Sequence, residues 1–144
     1  ICPELLYTAP LAFRICGWQI KTLGDGAVLV NELDTEAVTD YQILLSGILN
    51  KIKAINERFA EECKNFSKKR GPQTNLSLGW GITRGTVNKI VSDSVTPPDY
   101  LGPDLNKAAR LCDIARPFGI VIDRDDFQDK PNLEGYSFFS RNGN

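Results

Sequence analysis

Residues 20–30 read IKTLGDGAVLV, and this stretch decides how the first part of the chain folds. Two β-like runs flank Gly24-Asp25-Gly26, where glycine permits the positive φ angles of a tight reversal. The pattern predicts a β-hairpin that presents Asp25 from its turn. A carboxylate between two glycines is a good ligand for a hard cation, although an ordinary Asp-Gly turn accounts for the same residues.

A long amphipathic helix is predicted to follow the hairpin. Thr35 is a candidate N-cap, with Glu36 in the first turn. Ten apolar residues then recur at spacings of three and four, namely Val38, Tyr41, Leu44, Leu45, Ile48, Leu49, Ile52, Ile55, Phe59 and Cys63. The helix is expected to end near the basic residues 68–70, which suit the negative end of the helix dipole.

The rest of the chain alternates short β-like runs with a second helix. Runs at 75–82 and 86–92 surround Thr83-Arg84-Gly85, and further strands are predicted at 119–123 and 135–140. Pro103 or Asp104 opens the second helix, and its apolar side is expected to consist of Leu105, Ala108, Ala109, Leu111, Cys112 and Ile114. The order of elements predicts an α+β domain, with helices packed on an antiparallel or mixed sheet.

Composition narrows the classes of function. A chain of 144 residues fits one domain, and its formal net charge of -1 gives no overall attraction for nucleic acid. The absence of histidine removes zinc-hydrolase motifs, Ser-His-Asp triads and a histidine general base. The 4 cysteines lack CxxC spacing and predict small core residues in a reducing compartment. No apolar run approaches the roughly 20 residues that span a bilayer, so we expect a cytoplasmic protein without membrane insertion.

Two further segments carry candidate binding residues. Asn106 and Arg110 lie four apart, so on a helix they share one face, where an amide and a guanidinium can hold ribose and phosphate oxygens. Polar pairs at this spacing are also common on solvated helices. The glycine-rich segment GWGITRG at 79–85 favours either close backbone approach to a ligand or a β-bulge with a turn.

Taken together, these segments resemble the catalytic domain of class III adenylate and guanylate cyclases. Residues 21–25 are similar to the family's hairpin motif, Lys or Glu followed by Thr, an apolar residue, Gly and Asp. Residues 81–85 resemble its Gly-Ile-x-x-Gly strand end, and residues 99–110 match Asp-x-x-Gly-x-x-x-Asn-x-Ala-x-Arg. Residues 116–122 are similar to its helix-to-strand passage. The resemblance runs from about residue 17 to residue 123.

The resemblance implies a ferredoxin-like core and two subunits that meet head to tail, with active sites at their interface. It implies a phosphorus–oxygen lyase, a nucleotidyl cyclase that converts a nucleoside triphosphate to a 3′,5′-cyclic nucleotide and pyrophosphate. Asp25 would be one of two aspartates that hold two Mg²⁺ or Mn²⁺ ions. Asn106 would position the ribose and Arg110 would stabilise charge on the α-phosphoryl group, both from the partner subunit.

The resemblance also implies how the base is recognised. Lys21, Gly24 and Asp99 would bind the nucleotide, and Lys21 with Asp99 is the family's adenine pattern, which favours ATP. A second reading is a pyrimidine cyclase that makes cyclic CMP or cyclic UMP in bacterial antiphage defence. Lys107 and Trp18, both unusual near the expected site, keep that reading open.

The sequence departs from the family at its second metal-binding aspartate. That residue is expected on a strand well before the hairpin, but the 20 residues before Lys21 contain no aspartate. A second lysine that contacts the triphosphate is not identified either. We therefore expect residues 1–144 to be a single cyclase domain that is incomplete at one or both ends. An inactive cyclase-like module for dimerisation or nucleotide binding is the third reading.

Overall fold

The computed structural model describes residues 18–33, 40–70, 77–93 and 97–127. In chain order the elements are β1 (Gln19–Leu23), β2 (Gly26–Val30), α1 (Tyr41–Arg70), β3 (Gly79–Ile82), β4 (Asn88–Ile90), β5 (Asp99–Leu101), α2 (Pro103–Ala115), β6 (Gly119–Ile122) and the 3-10 helix η1 (Arg124–Phe127). The predicted α+β class is confirmed. The strand predicted at 135–140 lies outside the described residues. Neither α1 nor α2 combines the length and apolarity needed to cross a membrane.

Strands β1 and β2 form the predicted antiparallel hairpin. Leu23 pairs with Gly26, so Gly24 and Asp25 make the connection. Gly24 has a φ of 56°, a conformation that costs glycine nothing because it has no Cβ. Since side chains alternate along a strand, Ile20 lies on the face that packs against α1, and Lys21 lies on the opposite face.

Helix α1 supplies most of the buried core of the described residues. Its inward side chains repeat at the predicted spacing of three and four. Five of them are at most 8% exposed, namely Leu45, Ile48, Leu49, Ile52 and Ile55. The hairpin and strands β3 and β6 all pack against this cluster, and Phe127 of η1 belongs to it.

Asp40 caps the N-terminus of α1. Its Oδ1 accepts hydrogen bonds from the backbone N–H of Gln42 at 2.9 Å and of Ile43 at 3.3 Å. Thr35 and Glu36, the predicted cap and first-turn acid, lie outside the described residues.

Replacing Asp40 with alanine is expected to lower the free energy of unfolding by about 1 kcal/mol, because two backbone donors lose their acceptor. Asp40→Asn keeps an acceptor oxygen and should lose less. Urea denaturation of both variants measures the difference. Equal losses for the two substitutions would show that capping is not what Asp40 contributes.

Strands β3 and β6 run parallel, in register from Gly79 opposite Gly119 to Ile82 opposite Ile122. A parallel pair needs a crossover connection, and α2 is the helix of this one. Trp80 and Ile82 pack against α1. The alternate residues Gly79 and Gly81 face α2, so β3 is covered on both sides.

Strands β3 and β4, on either side of Thr83-Arg84-Gly85, do not pair with each other, since β3 pairs with β6 and β4 pairs antiparallel with β5. Strand β5 was not predicted, since three residues carry too little pattern. In α2, Ala109 and Ile114 are exposed although both were expected to face inward. The helix is seated on β3 through the turn of Ala108 and Cys112 instead.

Candidate functional site

Two candidate base-binding residues that are 78 positions apart in sequence lie in contact. Lys21 Nζ donates a hydrogen bond to Asp99 Oδ2 at 2.8 Å. Lys21 is on the outward face of β1 and Asp99 begins β5, and their side chains are 58% and 51% exposed. The Lys21 ammonium and the Tyr100 N–H lower the pKa of Asp99, which keeps the carboxylate ionised. A cationic donor and an anionic acceptor therefore stand side by side, both open to a ligand.

A second set of contacts, on the opposite face of the β4–β5 pair, connects this pair to the segment just after the hairpin. Glu32, just beyond β2, accepts a hydrogen bond from the Tyr100 hydroxyl at 3.2 Å and pairs with Lys89 Nζ at 2.9 Å. Burial and the Glu32 carboxylate raise the pKa of Tyr100, while Lys89 lowers the pKa of Glu32. Because Asp99 and Tyr100 point to opposite faces, the two contacts together fix Asp99 relative to β1.

Asn106 and Arg110 lie on the exposed face of α2, as predicted. One turn separates them, about 6 Å along the helix axis. Helix α2 begins two residues after β5 ends, so its first turn directly follows the strand that carries Asp99. Within the described ranges, neither side chain is hydrogen-bonded or ion-paired. With respect to the described residues, both side chains are therefore open to solvent.

Asp25 is exposed at the hairpin turn beside Gly24. A Cβ placed on Gly24 would meet no atom within 4 Å, so the space next to this turn is open. One carboxylate is sufficient for a Mg²⁺ ion that also takes phosphate oxygens and water. Across the described ranges, no group of 3 or more His, Cys, Asp or Glu side chains is arranged to hold a metal ion. At this turn the described residues therefore offer a metal ion one exposed carboxylate, and any further ligands would have to come from a bound molecule, water or other residues.

The glycine-rich segment at 79–85 does permit close backbone approach, but the element that approaches is α2. A Cβ on Gly81 would overlap backbone atoms of Ala108 and Cys112, and a Cβ on Gly85 would overlap the carboxylate of Asp104. Asp104 Oδ2 also accepts a hydrogen bond from the Thr86 N–H at 3.1 Å. These glycines therefore seat α2 and its N-terminal turn against β3.

An ionic cluster that the sequence patterns did not predict lies at the end of β6. Lys107 Nζ lies 2.9 Å from Asp126 Oδ2, 3.2 Å from Asp123 Oδ2 and 3.7 Å from Asp104 Oδ1. The hydrogen bond to Asp126 is the main reason that the pKa of Lys107 is raised. The ammonium, expected near the nucleotide, is thus held by carboxylates. The available signal was the acidic run DRDD at 123–126, directly after a predicted strand.

Arg84 also contacts this cluster, through Asp126. Its guanidinium stacks on the Tyr41 ring, 4.0 Å from the ring centre. Arg84 Nε donates to the backbone oxygen of Asp126, and the Arg84 N–H donates to Asp126 Oδ2 at 3.3 Å. Arg84 therefore ties the start of α1 to η1.

No protein-family model, curated protein or solved structure matches the chain. The function is therefore inferred from the residues and their placement. The contact of Lys21 with Asp99 and the exposed pair on α2 are the features that bear on it most directly.

Proposed function

We propose that the chain is a nucleotidyl cyclase domain that acts as a homodimer on a nucleoside triphosphate, with ATP favoured. The observation that carries the proposal is the contact between Lys21 and Asp99. The motif resemblance assigned both residues to the base although they are far apart in sequence, and they lie 2.8 Å from each other. Both side chains are also accessible to a ligand.

The pair is complementary to a particular edge of a base. Adenine and cytosine each present a ring nitrogen acceptor beside an exocyclic amine, which match the Lys21 ammonium and the Asp99 carboxylate. Guanine and uracil present a ring N–H beside a carbonyl. In the same orientation, the ring N–H would face the Lys21 ammonium and the carbonyl would face the Asp99 carboxylate, so neither hydrogen bond could form. Opening an exposed ion pair costs about 0–1 kcal/mol, whereas each polar group that the bound base buries without a partner costs about 1–3 kcal/mol. The base edge therefore decides which nucleotide is held.

The exposed pair on α2 is assigned to the sugar and phosphate. The Arg110 guanidinium can donate two parallel hydrogen bonds to phosphoryl oxygens, and the Asn106 amide can hold a ribose oxygen. In the reaction the ribose 3′-oxygen bonds to the α-phosphorus and its proton passes to water. The bond from the α-phosphorus to the bridging oxygen breaks, and pyrophosphate leaves. Arg110 stabilises the charge that develops on the α-phosphoryl oxygens.

The metal and the fold complete the proposal. Asp25 would hold Mg²⁺ or Mn²⁺, which supplies charge neutralisation on the triphosphate. A ferredoxin-like core is proposed, and it is supported by the hairpin and β3 sharing α1 as their packing partner. A head-to-tail dimer is proposed from the family resemblance, which assigns Asn106 and Arg110 to the partner subunit's site, and the exposure of both side chains is compatible with it.

A pyrimidine cyclase of bacterial antiphage defence is the second candidate. It is favoured by the same observation, since cytosine offers the Lys21–Asp99 pair the same acceptor and amine as adenine. Uracil has no amine for Asp99, so cyclic UMP is the less suited of the two pyrimidine products.

We predict that cyclic nucleotide forms with preference in the order ATP, CTP, then UTP and GTP. Each triphosphate is incubated at equal concentration with Mn²⁺, and the product is identified by mass spectrometry. Lys21→Glu should weaken use of ATP most, because it sets a carboxylate against the ring acceptor. Lys53→Glu, an equal charge change on the exposed side of α1, should leave the order unaltered.

Two outcomes would contradict this order. A clear preference for UTP would show that Lys21 and Asp99 do not read the base as proposed. Tight binding of ATP without any product would identify an inactive nucleotide-binding module.

A further inference from the structure

Helix α2 rests on a strand that offers it no side chains. Gly79 and Gly81 are the β3 residues that face it, and a Cβ on either would meet the helix backbone or Ala115. Helices are usually held in place by side chains that fit between one another. A glycine surface lacks such projections, so contacts at the margins of this surface, such as the hydrogen bond from the Thr86 N–H to Asp104, also set the rotation and axial position of α2.

Lys107 makes side-chain contacts that can set the rotation and axial position of α2. It connects α2 to Asp123 and Asp126, which follow β6, at 3.2 Å and 2.9 Å. At 3.6 residues per turn, Lys107 lies about 100° around the helix from Asn106 and about 60° from Arg110. It therefore occupies the flank of α2, between the exposed face and the face on β3. Fixing a side chain on this flank fixes the rotation of the helix.

The charges of the cluster make this contact hard to replace. One ammonium, 26% exposed, faces three carboxylates, of which Asp126 is the most buried with a side chain 13% exposed. Arg84 approaches Asp126 through its backbone N–H and donates its Nε to a backbone oxygen. Without the Lys107 ammonium, the carboxylates of Asp104 on α2, Asp123 just after β6 and Asp126 on η1 would repel one another where they are partly desolvated.

We infer that Lys107 is a positioning residue, which sets the placement of Asn106 and Arg110 by fixing α2 on β6 and η1. The inference rests on the proposed function, because those two residues are the ones assigned to ribose and phosphate. Lys107 itself touches no substrate in this scheme. A displacement of the order of 1 Å at reacting groups can lower a rate about 100-fold.

The test compares Lys107→Met with Lys107→Arg in the full chain. Methionine keeps an unbranched stem without charge, whereas arginine keeps a cation. We expect kcat for the preferred triphosphate to fall at least about tenfold in Lys107→Met with KM changed less than about twofold, and kcat to recover largely in Lys107→Arg. Arg58→Met, which removes an ion pair to Glu62 on α1, is the matched control and should keep the original kcat.

The unfolding midpoint is measured for every variant, so that activity refers to folded protein. An unchanged kcat for folded Lys107→Met would overturn the inference and leave Lys107 a purely stabilising residue. If Lys107→Met does not fold, Asp123→Asn is measured in its place, where a fall in kcat of about threefold is expected and an unchanged kcat overturns the inference. Failure of the unaltered chain to form any cyclic product would instead remove the proposed function, and this inference with it.

Discussion

Replacing Gly81 with alanine is expected to lower the free energy of unfolding by about 3 kcal/mol, the largest stability effect we predict. The added Cβ would overlap the Ala108 carbonyl oxygen and the Cys112 backbone nitrogen, and would lie 3.0 Å from the Leu111 carbonyl carbon. These are backbone atoms of a helix, which cannot rotate away as a side chain can. Helix α2 would have to lift from β3, which would loosen the packing of both elements.

Two other glycines serve as controls for this prediction. Gly47 lies within α1 with no atom within 4 Å of an added Cβ, so Gly47→Ala should stabilise the protein by about 0.5–1 kcal/mol through helix propensity. Gly85→Ala meets the carboxylate of Asp104, a side chain that can move, and should cost less than Gly81→Ala. Urea denaturation measures all three. A Gly81→Ala variant as stable as the unaltered chain would mean that α2 is not seated on β3.

The elements that the sequence predicted well have strong local patterns. The hairpin was predicted because glycine and aspartate at 24–26 interrupt two apolar runs, and α1 because its apolar residues keep one period over many turns. The end of α2 was predicted from Pro117, because proline does not continue a helix. The pairing of β3 with β6 could not be predicted this way, since their partners lie about 40 residues apart and no local pattern encodes that choice.

The candidate site shows a similar division. Local spacing sufficed to place Asn106 and Arg110 on one helix face. Only the family resemblance assigned both Lys21 and Asp99 to the base, because spacing alone cannot relate residues from the two halves of the chain, and their direct contact was not predicted. The engagement of Lys107 with Asp123 and Asp126 depends on how α2 packs beside β6, which the sequence did not specify.

Asp25→Ala and Arg110→Ala are each expected to lower product formation about 100-fold or more. The first removes the carboxylate assigned to the metal, and the second removes the guanidinium assigned to the α-phosphoryl group. Both side chains are exposed, so either change should alter the free energy of unfolding by no more than about 0.5 kcal/mol. If a variant unfolds, its residue has a structural role. If a variant keeps full activity, its residue has no role in the reaction.

Mixing the two inactive variants should restore activity if each site takes Asp25 from one subunit and Arg110 from the other. With free exchange of equal amounts, half of the dimers are mixed, and each mixed dimer has one intact site out of two. About a quarter of the original activity is therefore expected. Mixing Asp25→Ala with the double variant Asp25→Ala/Arg110→Ala is the matched control and should recover nothing. If subunits are shown to exchange and activity still does not return, the site lies within one chain, and the dimeric arrangement proposed for this protein is wrong.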